Sequence, residues 1–241
     1  MEWGKTILSS LEWGKTISNR EEKERVADII SSMVKEGEII GVGSGSTAYL
    51  ALLKIARRMK NEQLHIRAIP TSQEIRMACV RLGIPVTSLW EHKPDWTFDG
   101  ADEIDTEHNM IKGRGGAMFK EKLLINSSPR TYIIADPSKI VTQLGSRFPV
   151  PIEIFPEALT YVEEVLRAYN PKEIKLRMAK GKDGPVITEN GNLILDTWFD
   201  HIPNNLEESI KSITGVIESG LFIHTTTCIS FHKTLIIQDF Q

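Results

Sequence analysis

Ile39-Ile40-Gly41-Val42 runs straight into Gly43-Ser44-Gly45-Ser46-Thr47, and Leu52, Ile55, Ala56 and Met59 follow at helical spacing. A short apolar run bounded by glycine suits a buried strand better than a helix. The stretch therefore reads as strand, glycine turn, helix, the unit from which parallel sheets are built. Such a turn presents amides and hydroxyls at a helix N-terminus, where phosphate or carboxylate binds. No lysine follows the last glycine as a P-loop requires, and the glycine spacing is not the dinucleotide fingerprint. A plain tight turn stays open as the alternative.

Upstream, Ser18 and Glu21 stand at capping-box spacing, Val26, Ile29, Ile30, Met33 and Val34 mark a helix face, and Gly37 supplies a stop. Downstream, strands are expected at 66–69, 85–89, 96–98 and 131–135, and a helix through Ile75, Ala78, Cys79 and Leu82 closes at Gly83. This alternation predicts a mostly parallel sheet covered on both faces, with ligands beyond the carboxyl ends of its strands. Near residue 146 the pattern changes. Pro149, Pro151 and Pro156 punctuate a connection, and Leu159, Val162, Val165 and Leu166 form a helix face. Asn190-Gly191, between 185–188 and 193–198, reads as a hairpin, and Leu206, Ile210 and Ile213 give one more helix. We expect a small α+β domain over 146–218, set into a larger domain of 19–145 plus 219–241 to which the segment 221–240 returns as a strand. Residues 2–7 recur as 12–17, a single short duplication that predicts a loose N-terminal arm over 1–18.

The 241 residues are 41% hydrophobic and 25% charged with a net charge of −3, the balance of a soluble globular chain. No basic excess favours a nucleic-acid partner. Cys79 and Cys228 are too few for a disulfide framework or a four-thiolate zinc site. Glu2, Lys5, Glu12 and Lys15 occupy the place of a signal-peptide core, and no run approaches the ~20 apolar residues of a membrane span. The expected location is the cytoplasm, with no membrane partner.

Two further stretches carry chemistry. Phe98-Asp99-Gly100-Ala101-Asp102-Glu103-Ile104-Asp105 crowds four acids after a strand, which raises their pKa values unless cations or hydrogen bonds compensate. The spacing is not that of an EF-hand, and a solvated acidic turn is the plain alternative. Lys112-Gly113-Arg114-Gly115-Gly116-Ala117 sets a cation beside glycine-rich backbone, a combination suited to an anionic intermediate. Glu121 lies between Lys120 and Lys122, where an exposed helix residue is equally ordinary. The six histidines show no HExxH spacing, and no Ser-His-Asp or Cys-His pairing stands out.

Taken together, the blocks 41–48, 69–72, 99–105, 112–117, 121–122, 135–139 and 148–153 closely resemble type A ribose-5-phosphate isomerase, from about Lys23 to beyond Leu221. The resemblance implies an α/β fold: a Rossmann-like, mostly parallel sheet domain with a smaller inserted α+β, ferredoxin-like domain. It implies an aldose–ketose isomerase of the pentose phosphate pathway that joins D-ribose 5-phosphate and D-ribulose 5-phosphate through an enediolate, with no cofactor and no metal. Carried over by position, it makes Glu121 the general base and Lys112 the stabiliser of the enediolate. Asp99 and Asp102 would open the sugar ring and move hydroxyl protons. Ser44, Gly45, Ser46, Thr47, Gly100, Ala101, Gly113, Gly115 and Lys139 would line the substrate, with Lys23 near its phosphate. A homodimer or homotetramer is implied as well. The chain departs from the family at Arg114, where glycine is usual, and beyond His224. Two rivals remain: a related sugar-phosphate or acyl-CoA transferring enzyme of the same wider fold group, in which Glu121 would be a covalent nucleophile, and a phosphosugar-sensing module without turnover, which would not require Asp99, Lys112 and Glu121 together.

Overall fold

The computed structural model describes residues 17–223 and 228–230. The arm expected over 1–18 lies outside them except for Ile17 and Ser18. In chain order the strands are β1 (Ile39–Val42), β2 (Arg67–Pro70), β3 (Trp96–Asp99), β4 (Glu103–Ile104), β5 (Met110–Ile111), β6 (Thr131–Ile134), β7 (Val150–Ile154), β8 (Glu173–Leu176), β9 (Leu193–Trp198), β10 (Val216–Ser219), β11 (Leu221–Phe222) and β12 (Cys228–Ser230). The helices are α1 (Arg20–Met33), α2 (Ser46–Glu62), α3 (Gln73–Leu82), α4 (Met118–Ser127), α5 (Leu159–Leu166) and α6 (Leu206–Lys211). The chain divides into two compact units. One takes in residues up to 100, 120–137 and those from 227; the other holds 101–119 and 138–226.

The first unit is built on a parallel five-stranded sheet in the order β12-β6-β3-β1-β2. Its central strands β1, β3 and β6 are buried on both faces, so they read as short apolar runs. Ile40, Val42, Leu52, Ile55, Ile75, Phe98 and Ile134 form its core. From β1 the chain moves outward to β2, then returns to place β3 on the other side of β1. That reversal opens a crevice at the carboxyl ends of β1 and β3, the usual ligand position in such sheets. The last strand, Cys228–Ser230 beside β6, falls within the return expected over 221–240, most of which lies outside the described residues.

Several local expectations shift. The capping box at Ser18 does not form: Asn19 precedes α1 in left-handed backbone, and its side-chain amide donates to Asp136 at 2.9 Å. Gly37 is not the stop of α1, which ends at Met33. Arg58 from α2 donates to the Ser31 and Val34 carbonyls and so takes over the role of a C-terminal cap. Residues 85–89 supply one bridge, Ala68 to Val86, rather than a strand.

The second unit carries β7-α5-β8-β9-α6-β10, whose antiparallel sheet has the order β10-β7-β9-β8. This βαββαβ connection is the ferredoxin-like pattern. Val150, Ile152, Val162, Leu166, Leu195 and Ile210 form its core. The hairpin expected across Asn190-Gly191 keeps its turn but not its ladder. Thr188, Asn190 and Asn192 all donate to Oε1 of the buried Glu153, which holds the turn down, while β9 pairs with β7 and β8. The small sheet β11-β5-β4 completes this unit.

Cys79 is fully buried on α3, and burial pushes its thiol up to about 12. Only the thiolate reacts, so burial keeps Cys79 inert near pH 8. Iodoacetamide should leave the Cys79 peptide unmodified in the native protein and label it in urea. Rapid native labelling, read by peptide mass spectrometry, would show that α3 opens.

Candidate active site

On the first unit, the turn after β1 meets the end of β3. The Gly43 amide donates to the Phe98 carbonyl at 2.8 Å, which draws the turn against β3. Asp99 is completely buried, and a Cβ on Gly43 would lie 2.0 Å from its carboxylate. Glycine is required there because the acid occupies the space a side chain would need. Asp99 Oδ1 accepts from the Gly100 amide at 2.7 Å. The Ser44 hydroxyl donates to Ser72 Oγ at 2.8 Å and shares a 2.9 Å hydrogen bond with Thr71, joining this turn to the one after β2. Gly45 takes φ 116°, a left-handed value open to glycine, and α2 then starts at Ser46 with Thr47 buried in its first turn.

Glu121 lies in the first turn of α4 and is 5% exposed, so it is not an ordinary surface residue. Lys23 on α1 is buried too, its ammonium 3.8 Å from Asp136 and 3.4 Å from Ser18 Oγ. The sequence reading did not single out Asp136, although it stands within the 135–139 block just after β6.

Of the four crowded acids, the three on the second unit, Asp102, Glu103 and Asp105, are separated by their hydrogen bonds. Asp102 Oδ2 accepts from the Arg114 amide at 3.0 Å. Glu103 is fully buried and takes the amides of Gly145, Arg147 and Phe148 at 2.6, 2.5 and 2.8 Å. Asp105 closes its own turn by accepting from the Glu107 and Asn109 amides. Amide donors thus supply the compensation that the crowding demands. Of these acids, Glu103 is the one whose role was missed.

Lys112 follows β5 and is 2% exposed, its backbone amide on the Gly220 carbonyl at 2.8 Å and its ammonium 5.7 Å from the centre of the Phe222 ring. The glycine loop after it turns through Gly113 at φ 93° and Gly116 at φ 82°, closed by Gly116 N–H to the Gly113 carbonyl at 2.9 Å. Gly115 is exposed and Ala101 half-buried. Arg114 gives its backbone to the loop, while its exposed guanidinium lies 5.9 Å from the Phe148 ring centre. Lys139, half-buried in a short 3₁₀ turn, reaches the same ring at 5.3 Å. The structure therefore groups Lys23, Ser44–Thr47, Asp99, Gly100 and Glu121 on one unit, and Ala101, Asp102, Lys112, Gly113, Gly115 and Lys139 on the other.

Residues 67–234 match the family described as ribose 5-phosphate isomerase A (phosphoriboisomerase A). The chain belongs to this family. Ribose-5-phosphate isomerase A of a Synechococcus strain is 42% identical over 208 residues, covering 85% of this chain and 89% of that protein. The solved isomerase A of Methanocaldococcus jannaschii superposes with a TM-score of 0.86 at 36% identity, over 92% of this chain and all of that one. A D-ribose-5-phosphate isomerase solved with phospho-erythronic acid gives 0.85 at 33% identity, over 89% of this chain and 95% of that one. In this chain the side chain of Arg114 packs on Phe148 while its amide serves Asp102.

Gly43→Ala should destabilise the protein by about 1–3 kcal/mol, because the added methyl and the buried Asp99 compete for one space. In an Asp99→Gly background that loss should shrink, a coupling that urea midpoints of the four proteins would expose. Equal losses in both backgrounds would contradict the packing described.

Proposed function

We propose that Glu121 is the base with which this chain interconverts D-ribose 5-phosphate and D-ribulose 5-phosphate. The reaction moves a proton between C2 and C1 through an enediolate, and one carboxylate that takes and returns it completes the transfer. The burial of Glu121 carries this reading. Withdrawing a carboxylate from water costs several kcal/mol, an expense that a solvated helix face does not incur.

The other roles follow from charge. Lys112 supplies the fixed cation for the enediolate oxygen, and the amides of Gly113 and Gly115 add donors. Asp99 and Asp102 move hydroxyl protons as the sugar ring opens. Ser44, Gly45, Ser46, Thr47, Gly100, Ala101 and Lys139 contact the substrate, with Lys23 toward its phosphate. A relative binds phospho-erythronic acid, which pairs a phosphate with a planar carboxylate as the enediolate pairs a phosphate with an oxyanion. That chemistry supports the same assignment. Family likeness also supports a homo-oligomer working in the cytoplasm. No helix among the described residues is long and apolar enough to cross a membrane.

Glu121→Gln should lower kcat about 10²–10⁴-fold while KM stays close to wild type. Thr47→Ala should chiefly raise KM. Steady-state conversion of ribose 5-phosphate measures both, and near-normal turnover in Glu121→Gln would remove the base assignment.

A further inference from the structure

Arg177 stands one residue beyond β8, and its guanidinium donates to three residues. Its Nε and Nη2 hold the Asp196 carboxylate on β9 at 2.8 and 2.5 Å, and its Nη1 donates to the Gly113 and Arg114 carbonyls at 3.1 and 3.0 Å. The two side chains are only 16% and 20% exposed, which limits screening by water. Gly113 and Arg114 immediately follow Lys112, and the Arg114 amide holds Asp102. A glycine-rich loop has few side chains of its own with which to fix its backbone. Its peptide planes here are set from outside, by a planar fork that lysine cannot imitate.

We propose that Arg177, oriented by Asp196, is a positioning residue for the isomerisation: it fixes the loop after Lys112 and, through the Arg114 amide, the carboxylate of Asp102. This rests on the reading above that Lys112 and Asp102 take part in the reaction. A cavity of about 410 Å³ on the second unit is lined by Asp102, Arg114, Arg177 and Asp196, so all four groups lie within reach of a small solute.

Four variants test the clamp, Arg177→Met, Arg177→Ala, Arg177→Lys and Asp196→Asn, with Lys112→Ala as the separate test of the site. Each should lower kcat about 10–100-fold per folded molecule, with KM changed less than about threefold. The amides of 113–116 should exchange hydrogen faster than in wild type. In Arg177→Ala, millimolar guanidinium should restore part of kcat, while wild type gains nothing. If Arg177→Met does not fold, the Arg177→Lys and Asp196→Asn proteins decide. Unchanged kcat and unchanged exchange at 113–116 would overturn the proposal, since a merely structural role would lower only the melting temperature. If Lys112→Ala keeps full turnover, the assignment of the site fails instead, and exchange at 113–116 still decides whether Arg177 holds the loop.

Discussion

The architecture of the first unit depends on how closely β1 and β3 approach at their carboxyl ends. Gly41 in β1 and Gly43 just beyond its end, two residues apart, face the neighbouring strand, where Thr97 and Asp99 alternate onto one face of β3. A Cβ on Gly41 would lie 2.0 Å from Thr97 Oγ1, and a Cβ on Gly43 equally close to the Asp99 carboxylate. Two glycines thus clear a slot into which the neighbouring strand leans its polar side chains. The slot lies where the strand order reverses, so the carboxylate that fills it stands at the ligand-binding end of the sheet. The Gly43 and Gly100 amides then fix the turn and the acid together.

Much of this was legible in the chain. Short apolar runs bounded by turn residues revealed β1, β2, β3 and β6, because strands largely withdrawn from water leave little polar alternation to confuse them. The second unit was harder. Pro185 to Thr188 has the composition of a strand, yet Thr188 turns its hydroxyl to Glu153 and the run makes a single bridge, Met178 to Pro185. The strand before β9 that pairs with it in place of 185–188 is Glu173 to Leu176, whose alternation spans four residues with charges on every second one. Strands of two residues, such as β4, β5 and β11, fall below any periodic signal.

The candidate site divides in the same manner. Residue types and spacing marked the stretches 98–105, 112–117 and 120–122, and resemblance to the family singled out Asp99, Asp102, Lys112 and Glu121 within them, because spacing alone does not distinguish one acid of 99–105 from another. Their roles depend on which amides the fold offers. Glu103 receives three from the 145–148 loop, Asp102 receives one from Arg114, and Asp99 receives that of Gly100. Nor could sequence show that Arg177, sixty-three residues from Arg114, supplies the fork beneath its carbonyl. Burial was the other hidden quantity: Lys112 and Glu121 look like surface charges in the sequence and are withdrawn from water in the fold.

The central claim is that a carboxylate carries the proton between adjacent carbons of the sugar. Turnover of ribose 5-phosphate in deuterated water, followed by NMR at C1 of the ribulose 5-phosphate formed, tests it most directly. An enediolate handled by a carboxylate predicts that part of the product carries solvent deuterium at C1, because the protonated base exchanges in some fraction of turnovers. Product that never acquires solvent deuterium over many turnovers, with the C2 hydrogen wholly retained, would indicate a direct hydride shift and contradict the account.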